Sequence, residues 1–140
     1  MFQLSKKVDY AIILLAHLGR RATPASAQEI AGLYQLPQPM VANILKQLSA
    51  TKLIESKRGQ TGGYTLTRAP EEITLAEIIE LMDGEFTLVA CVHGDENCKV
   101  SQCCPTQDPL QALHFKIQGF MKSVTLATII NPQSSTLLTG

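Results

Sequence analysis

Leu53-Ile54-Glu55-Ser56-Lys57-Arg58-Gly59-Gln60-Thr61-Gly62-Gly63-Tyr64-Thr65-Leu66-Thr67 decides how the rest of the chain is read. Residues 53–56 and 64–67 are short runs with strand character, and the second alternates inward and outward positions. Between them stands a glycine-rich turn with two adjacent cations, Lys57 and Arg58. The stretch reads as a β-hairpin with a basic tip. Glycines at the tip allow close approach to another surface, so Lys57 and Arg58 can lie along a phosphate backbone, or Arg58 can enter a minor groove. A glycine-rich loop can also cradle a nucleotide phosphate. That reading needs a following Gly-Lys-Ser/Thr and a helix start, and the sequence has neither.

Two short helical patterns precede the hairpin. Ser26 is placed to cap a helix over 27–34, with Glu29 at capping-box spacing. Leu36-Pro37-Gln38-Pro39 makes a turn, and Pro39 suits the first turn of a second helix that runs to about Ala50. Val41, Ile44, Leu45 and Leu48 fall on the inner face of that helix. Its outer positions, Gln38, Met40, Asn43, Lys46 and Gln47, include no carboxylate. Such a face can approach phosphates, and Gln and Asn can read adenine edges in a major groove. An ordinary solvated helix face has the same composition. Two short helices joined by a tight turn form a helix-turn-helix, and a hairpin directly after one is a wing. A first helix is expected over 6–18, capped by Ser5 and stopped by Gly19, with Val8, Ile12, Leu15 and Ala16 on one face.

Beyond the hairpin, Thr74 is placed to cap a helix over 75–82 that Asp83-Gly84 ends. Residues 85–107 form a loop holding Cys91, Cys98, Cys103 and Cys104, the four cysteines of the chain. In a cytosolic chain, cysteines clustered this closely point to metal or redox chemistry before a disulfide framework. From Asp108 onward, Leu110, Leu113, Ile117, Phe120, Val124 and Ala127 recur at steps of three and four. This seam suits a dimerisation helix, or packing onto its own domain. The expected fold class is mainly α with a small β-hairpin: a winged helix-turn-helix DNA-binding domain over 1–84, the cysteine-rich loop over 85–107, a long C-terminal dimerisation helix over 108–131, and a flexible tail over 132–140.

The formal net charge is zero, which by itself does not favour a nucleic-acid partner. The halves differ: residues 1–70 carry nine Lys/Arg and three Asp/Glu, and residues 71–140 carry three and nine. Such asymmetry hints at a nucleic-acid face on the first half, although chance segregation on solvated faces gives the same pattern. No segment approaches the roughly 20 apolar residues of a membrane span. Residues 1–20 lack the layout of a cleavable signal, so a cytoplasmic location is expected. No cofactor motif or catalytic constellation is visible, which argues against an enzyme or electron carrier.

The wing segment from Lys57 to Leu66, followed by Arg68, Pro70, Ile73-Thr74-Leu75, Glu77-Ile78 and Asp83-Gly84, resembles the Rrf2 family of bacterial regulators, which includes the IscR and NsrR types. The opening Leu4-Ser5-Lys6 and Asp9-Tyr10-Ala11 are similar too, so the resemblance spans roughly residues 2–130. Thr87-Leu88-Val89-Ala90-Cys91, then Cys98, then Cys104-Pro105, look most like the regulators of SUF-type iron–sulfur assembly. The resemblance implies a homodimer on double-stranded DNA, with the last helix crossing to the partner, and a roughly palindromic operator. It places Gln28, Lys46, Arg58 and Gln60, with the start of the recognition helix around Gln38, Met40 and Asn43, near DNA.

The resemblance also implies an iron–sulfur cluster, 2Fe–2S or 4Fe–4S, held by Cys91, Cys98, Cys104 and one non-cysteine ligand. Cys103 is then surplus; adjacent side chains diverge, and a Cys103–Cys104 disulfide would be strained. In IscR-type members a histidine follows the third cysteine by three residues, and here that position is Gln107. In NsrR-type members an aspartate near the start of the first helix reaches across from the other subunit, and Asp9 matches it. His93 competes for the role. Zinc on three cysteines and His93 is the alternative metal, although the loop lacks paired Cys-x-x-Cys knuckles. The function implied is a cluster-dependent repressor of SUF-type assembly genes. The alternatives are a nitric-oxide- or redox-sensing repressor of the same family, a zinc-bound winged-helix regulator, and a winged helix that binds protein rather than DNA.

Overall fold

A computed structural model describes residues 3–94 and 97–131; the expected flexible tail over 132–140 lies outside the described residues. The first helix, α1 (Lys6–Gly19), starts where the Ser5 hydroxyl accepts the Val8 N–H at 3.1 Å, which satisfies one of the donors a helix start leaves open. The Ser26 hydroxyl likewise accepts the Glu29 N–H and opens α2 (Ala27–Tyr34). Gln35 in the left-handed region ends α2, and Pro39 in the first turn starts α3 (Gln38–Ala50). The hairpin follows as β1 (Ile54–Lys57) and β2 (Gly63–Leu66), antiparallel, with Ile54 opposite Leu66 and Lys57 opposite Gly63. Thr74 caps α4 (Leu75–Asp83) through the Glu77 N–H.

One apolar core joins these elements. Leu14 and Leu15 of α1, Ile30 of α2, Leu45 and Leu48 of α3, Leu53 and Ile54 at the wing's base, and Ile78 of α4 are all buried in it. The four inner positions expected on α3, Val41, Ile44, Leu45 and Leu48, are its four buried residues. In α1 the burial is wider than one stripe. Ala11, Leu14 and Leu18 are buried with Val8 and Leu15, whereas Ile12 and Ala16 are half-buried. The reason is that α1 is central, touching α3, α4, β2 and the last helix.

The C-terminal segment differs from the single helix expected over 108–131. Helix α5 (Gln107–Ser123) stops, Val124 and Thr125 become extended, and α6 (Leu126–Ile130) begins. Thr125 pairs with Thr74 as an antiparallel bridge. The Leu75 N–H donates to the Val124 carbonyl and the Leu126 N–H to the Ile73 carbonyl, both at 2.8 Å. The Thr125 hydroxyl then accepts the Thr128 N–H and caps α6. Val124 is 5 % exposed and Leu126 fully buried. Burying two aliphatic side chains in the domain core is worth more than continuing a solvated helix. The seam therefore ends before Val124 and Ala127, which belong to the winged-helix domain. At the other end of this contact, a Cβ on Gly19 would lie 2.5 Å from Ile130 Cδ1, so Gly19 makes room for α6 as well as closing α1.

Candidate nucleic-acid interface and cysteine loop

The second helix of the helix-turn-helix, α3, presents Gln38, Asn43 and Lys46 as exposed side chains, with Met40 and Gln47 half-buried. Met40 packs partly against the core, so part of it supports the helix from beneath. Gln28 is exposed in the first turn of α2, and Gln60 is exposed at the wing tip. The two wing cations are not equivalent. Lys57 Nζ lies 2.8 Å from Glu55 Oε1 on the same strand, whereas Arg58 is exposed and forms no ion pair among the described residues. A cation already facing a carboxylate gains less from a phosphate, so Arg58 is the stronger candidate for DNA contact.

The wing is tied to the body at mid-length. The Ala25 N–H donates to the Tyr64 carbonyl at 3.1 Å, and the Tyr64 N–H returns a bond to the Ala25 carbonyl at 2.8 Å. This sets Gln60, Thr61 and Gly62 across a cleft from Arg21, Thr23 and Ser26. Arg21 pairs with Glu29 and holds that carboxyl below its usual range, mainly through the side-chain hydrogen bond. Glu29 thus ties the turn after α1 to the start of α2 and, among the described residues, makes no reciprocal capping-box bond. At the other end of α2, the Tyr34 hydroxyl lies 3.1 Å from His17 Nδ1. His17 is 8 % exposed, and its Nε2 has no hydrogen-bond partner among the described residues. Burial first, then the nearby Arg21 charge, push its pKa down.

The cysteine loop is built on α5. Cys91 sits in a single 3-10 turn, Ala90–His93. The Cys91 carbonyl accepts from Gln111 Nε2 at 3.1 Å. The Leu88 N–H donates to Nδ1 of His114, which is 1 % exposed and stacks on Phe86 with ring centroids 5.4 Å apart. Cys91, Cys98 and Cys104 are half-buried, Cys103 is exposed, and all four are free thiols. Cys104 Sγ lies 3.3 Å from Thr106 Oγ1. That hydroxyl, then the Thr106 backbone, hold the thiol below its usual pKa, which favours the thiolate, the form that ligates metals. His93 is exposed near Thr87 and Glu85. Asp9 is exposed in the first turn of α1. Soft thiols suit an iron–sulfur cluster or zinc. Within the single chain, however, no three His, Cys, Asp or Glu side chains among the described residues converge as a metal site.

Residues 4–132 match the family described as Rrf2, iron-dependent transcriptional regulator. The chain belongs to the Rrf2 family. Similar Rrf2-type relatives include an Aquifex aeolicus protein assigned as an HTH-type transcriptional regulator, 31% identical over 130 residues and covering 91% of this chain and 90% of that one. The HTH-type transcriptional regulator NsrR of Oceanobacillus iheyensis is 26% identical over 137 residues, covering 96% and 93%. Among solved structures, T. potens IscR superposes with a TM-score of 0.68 at 26% identity, covering 95% of this chain and 89% of that one. CymR, the global cysteine regulator of B. subtilis, gives 0.76 at 23% identity over 94% and 98%, a likeness that shows the winged-helix fold alone. Like these Rrf2 relatives, the chain is a transcriptional regulator and not an enzyme.

Several residues of this Rrf2 chain carry structure that sequence reading missed. Thr125, followed three residues later by Thr128 ahead of an apolar run, is a capping signal that marks the start of α6. His114 stands seven residues before the buried Met121, on the same helical face. The Ala25–Tyr64 pairing and the His17–Tyr34 contact join segments distant in sequence and leave no local signal.

Proposed function

We propose that this regulator is a homodimeric, cytoplasmic DNA-binding repressor of SUF-type iron–sulfur assembly genes whose DNA affinity depends on an iron–sulfur cluster. The observation that carries this reading is the division of the four thiols: Cys91, Cys98 and Cys104 are half-buried on a loop anchored to α5, and Cys103 alone is exposed. Those three would hold the cluster, 2Fe–2S or 4Fe–4S, with the partner subunit's Asp9 as the fourth ligand. A bound cluster would supply an occupancy that depends on iron, oxygen and nitric oxide. The chain's own part is to couple the loop to DNA reading: α5 holds the loop through Gln111 and His114 and packs on α4, which packs on α1. Coupling of this kind is a difference in DNA affinity between two states of the loop. On the DNA side the residues are Gln28, Gln38, Met40, Asn43, Lys46, Lys57, Arg58 and Gln60. No described helix is long and apolar enough to cross a membrane.

A second reading, a nitric-oxide-sensing repressor, is favoured by Asp9 being exposed at the start of α1 and by Gln107 standing three residues after Cys104. Purification without oxygen, with a visible spectrum and iron and sulfide assays, tests the main reading. The expected result is a brown protein with matched iron and sulfide that loses its colour in each of Cys91→Ala, Cys98→Ala and Cys104→Ala but not in Cys103→Ala. A colourless protein holding zinc, or no metal after anaerobic reconstitution, would reject the cluster and leave an Rrf2 regulator of another kind. Bleaching by nitric oxide at concentrations where iron chelation has no effect would favour the second reading.

A further inference from the structure

We propose that Gly63 is a positioning residue for DNA recognition: its missing side chain lets the wing clip onto the entrance of the helix-turn-helix, which fixes where Arg58 meets DNA relative to α3. This rests on the reading that Arg58 contacts DNA, and adds to it the element that places Arg58.

The wing is short, four residues in each strand, and an isolated two-stranded ribbon is marginal by itself. Its base is rooted in the core by Leu53 and Ile54, each 1 % exposed. Its outer half is attached further, among the described residues, by the pair of backbone bonds between Tyr64 and Ala25. Gly63 lies against that attachment. A Cβ at position 63 would stand 2.5 Å from both the carbonyl carbon and oxygen of Ala25, and 2.8 Å from the Ser26 nitrogen. These are backbone atoms, and their segment has little room to retreat. Ala25 is fully buried, and Ser26 caps α2 through the Glu29 N–H. The φ of +154° at Gly63 adds a conformation that side-chain-bearing residues rarely adopt. A methyl group at 63 must therefore push β2 away from Ala25.

The displacement has a direct route to the DNA-facing cation. Gly63 is the register partner of Lys57 across the hairpin, and Arg58 is the next residue. The same clip touches Ser26 at the start of the helix that leads into α3. Gly63 thus sits between the wing cation and the helix-turn-helix, and its conformation sets the distance between them.

The test is a double-mutant cycle on the full chain purified without oxygen. The probe is a labelled duplex selected by the wild-type protein from random-sequence DNA, and affinity is measured over a range of salt. Arg58→Ala and Gly63→Ala are each expected to weaken binding about tenfold and to lower the salt slope by about one, the effect of one lost phosphate contact. The double variant is expected to bind within about twofold of either single variant, because Gly63 acts through Arg58. Losses that multiply across the cycle, or a Gly63→Ala protein that binds like wild type, overturn the proposal. An Arg58→Ala protein that binds like wild type removes Arg58 from the interface and takes the proposal with it. That result is separable from the first two because the fault shows in the single Arg58 variant. Circular dichroism checks the fold. If Gly63→Ala fails to fold, Ala25→Pro removes the N–H that Tyr64 accepts without adding an atom at position 63, and the same cycle is run with it. If neither variant folds, the clip is a folding element and the positioning role is wrong.

Discussion

His17 shows how a single buried side chain ties the contact between α1 and α2 to pH. Burial disfavours its charged form; Tyr34 lies on one ring nitrogen, and among the described residues the other has no partner. A second ring proton would be buried, unpaired and close to Arg21 and Arg20, with only Glu29 opposing them. The folded-state pKa is therefore below the ordinary imidazole value of about 6.5. As pH falls through 6.5 the unfolded chain takes up a proton before the folded chain does, so stability drops with pH there and levels off below the folded pKa. The melting temperature is expected to fall between pH 7.5 and pH 5. His17→Gln, which keeps a polar contact for Tyr34 but cannot titrate, is expected to flatten that fall. A melting temperature with the same pH slope in both proteins would show that other groups set it. None of this is visible in the sequence, where His17 is one polar residue near the end of an apolar helix. Its burial comes from the assembled core around α1, and only there does the end of α2 bring Tyr34 within reach.

At the scale of elements, what the sequence makes legible is what bonds locally. Ser5, Ser26 and Thr74 each bond an N–H three residues on, so the cap and its helix are read from adjacent letters. The inner face of α3 follows from helical period alone. The hairpin is legible because its turn demands glycine, although its strands lie one residue off the expected bounds, which pairing with Ala25 and the core decides. The break between α5 and α6 is the element that local pattern gets wrong. Val124 and Ala127 continue the three-four spacing of α5, and spacing does not reveal that the chain leaves the helix there to bridge Thr74 and lay α6 on α1. The correction carries a prediction. Leu126 is fully buried in the winged-helix core, so Leu126→Ala should cost about 2–5 kcal/mol of unfolding free energy, as a deleted core leucine does. Chemical denaturation would measure it at a fixed protein concentration. A loss below about 1 kcal/mol would return the segment to the continuous dimerisation helix first expected.

For the whole molecule, α5 is where the chain leaves an apolar flank exposed. Its inward side is satisfied: His114 and Met121 are buried against the cysteine loop and the domain. Its flank is not. Leu113 is 45 % exposed and Phe120 58 % exposed, with half-buried Ile117 between them. The positions 113, 117 and 120 lie on one side of a helix. Apolar side chains aligned at this spacing suit a second α5, and a closed twofold pair would bring two wings and two α3 helices to adjacent half-sites. The double substitution Leu113→Glu and Phe120→Glu should leave circular dichroism unchanged, because both side chains already face solvent in the single chain. It should turn a dimer into a monomer by sedimentation velocity. It should also weaken binding to the selected duplex by more than about tenfold, because the second half-site no longer adds its effective concentration. A wild-type chain that sediments as a monomer, or a variant that remains a dimer, would remove α5 from the interface. Ala127→Glu separates this reading from the continuous seam: it should destabilise the fold around α6 and leave the dimer intact, whereas a seam running through position 127 would lose the dimer first.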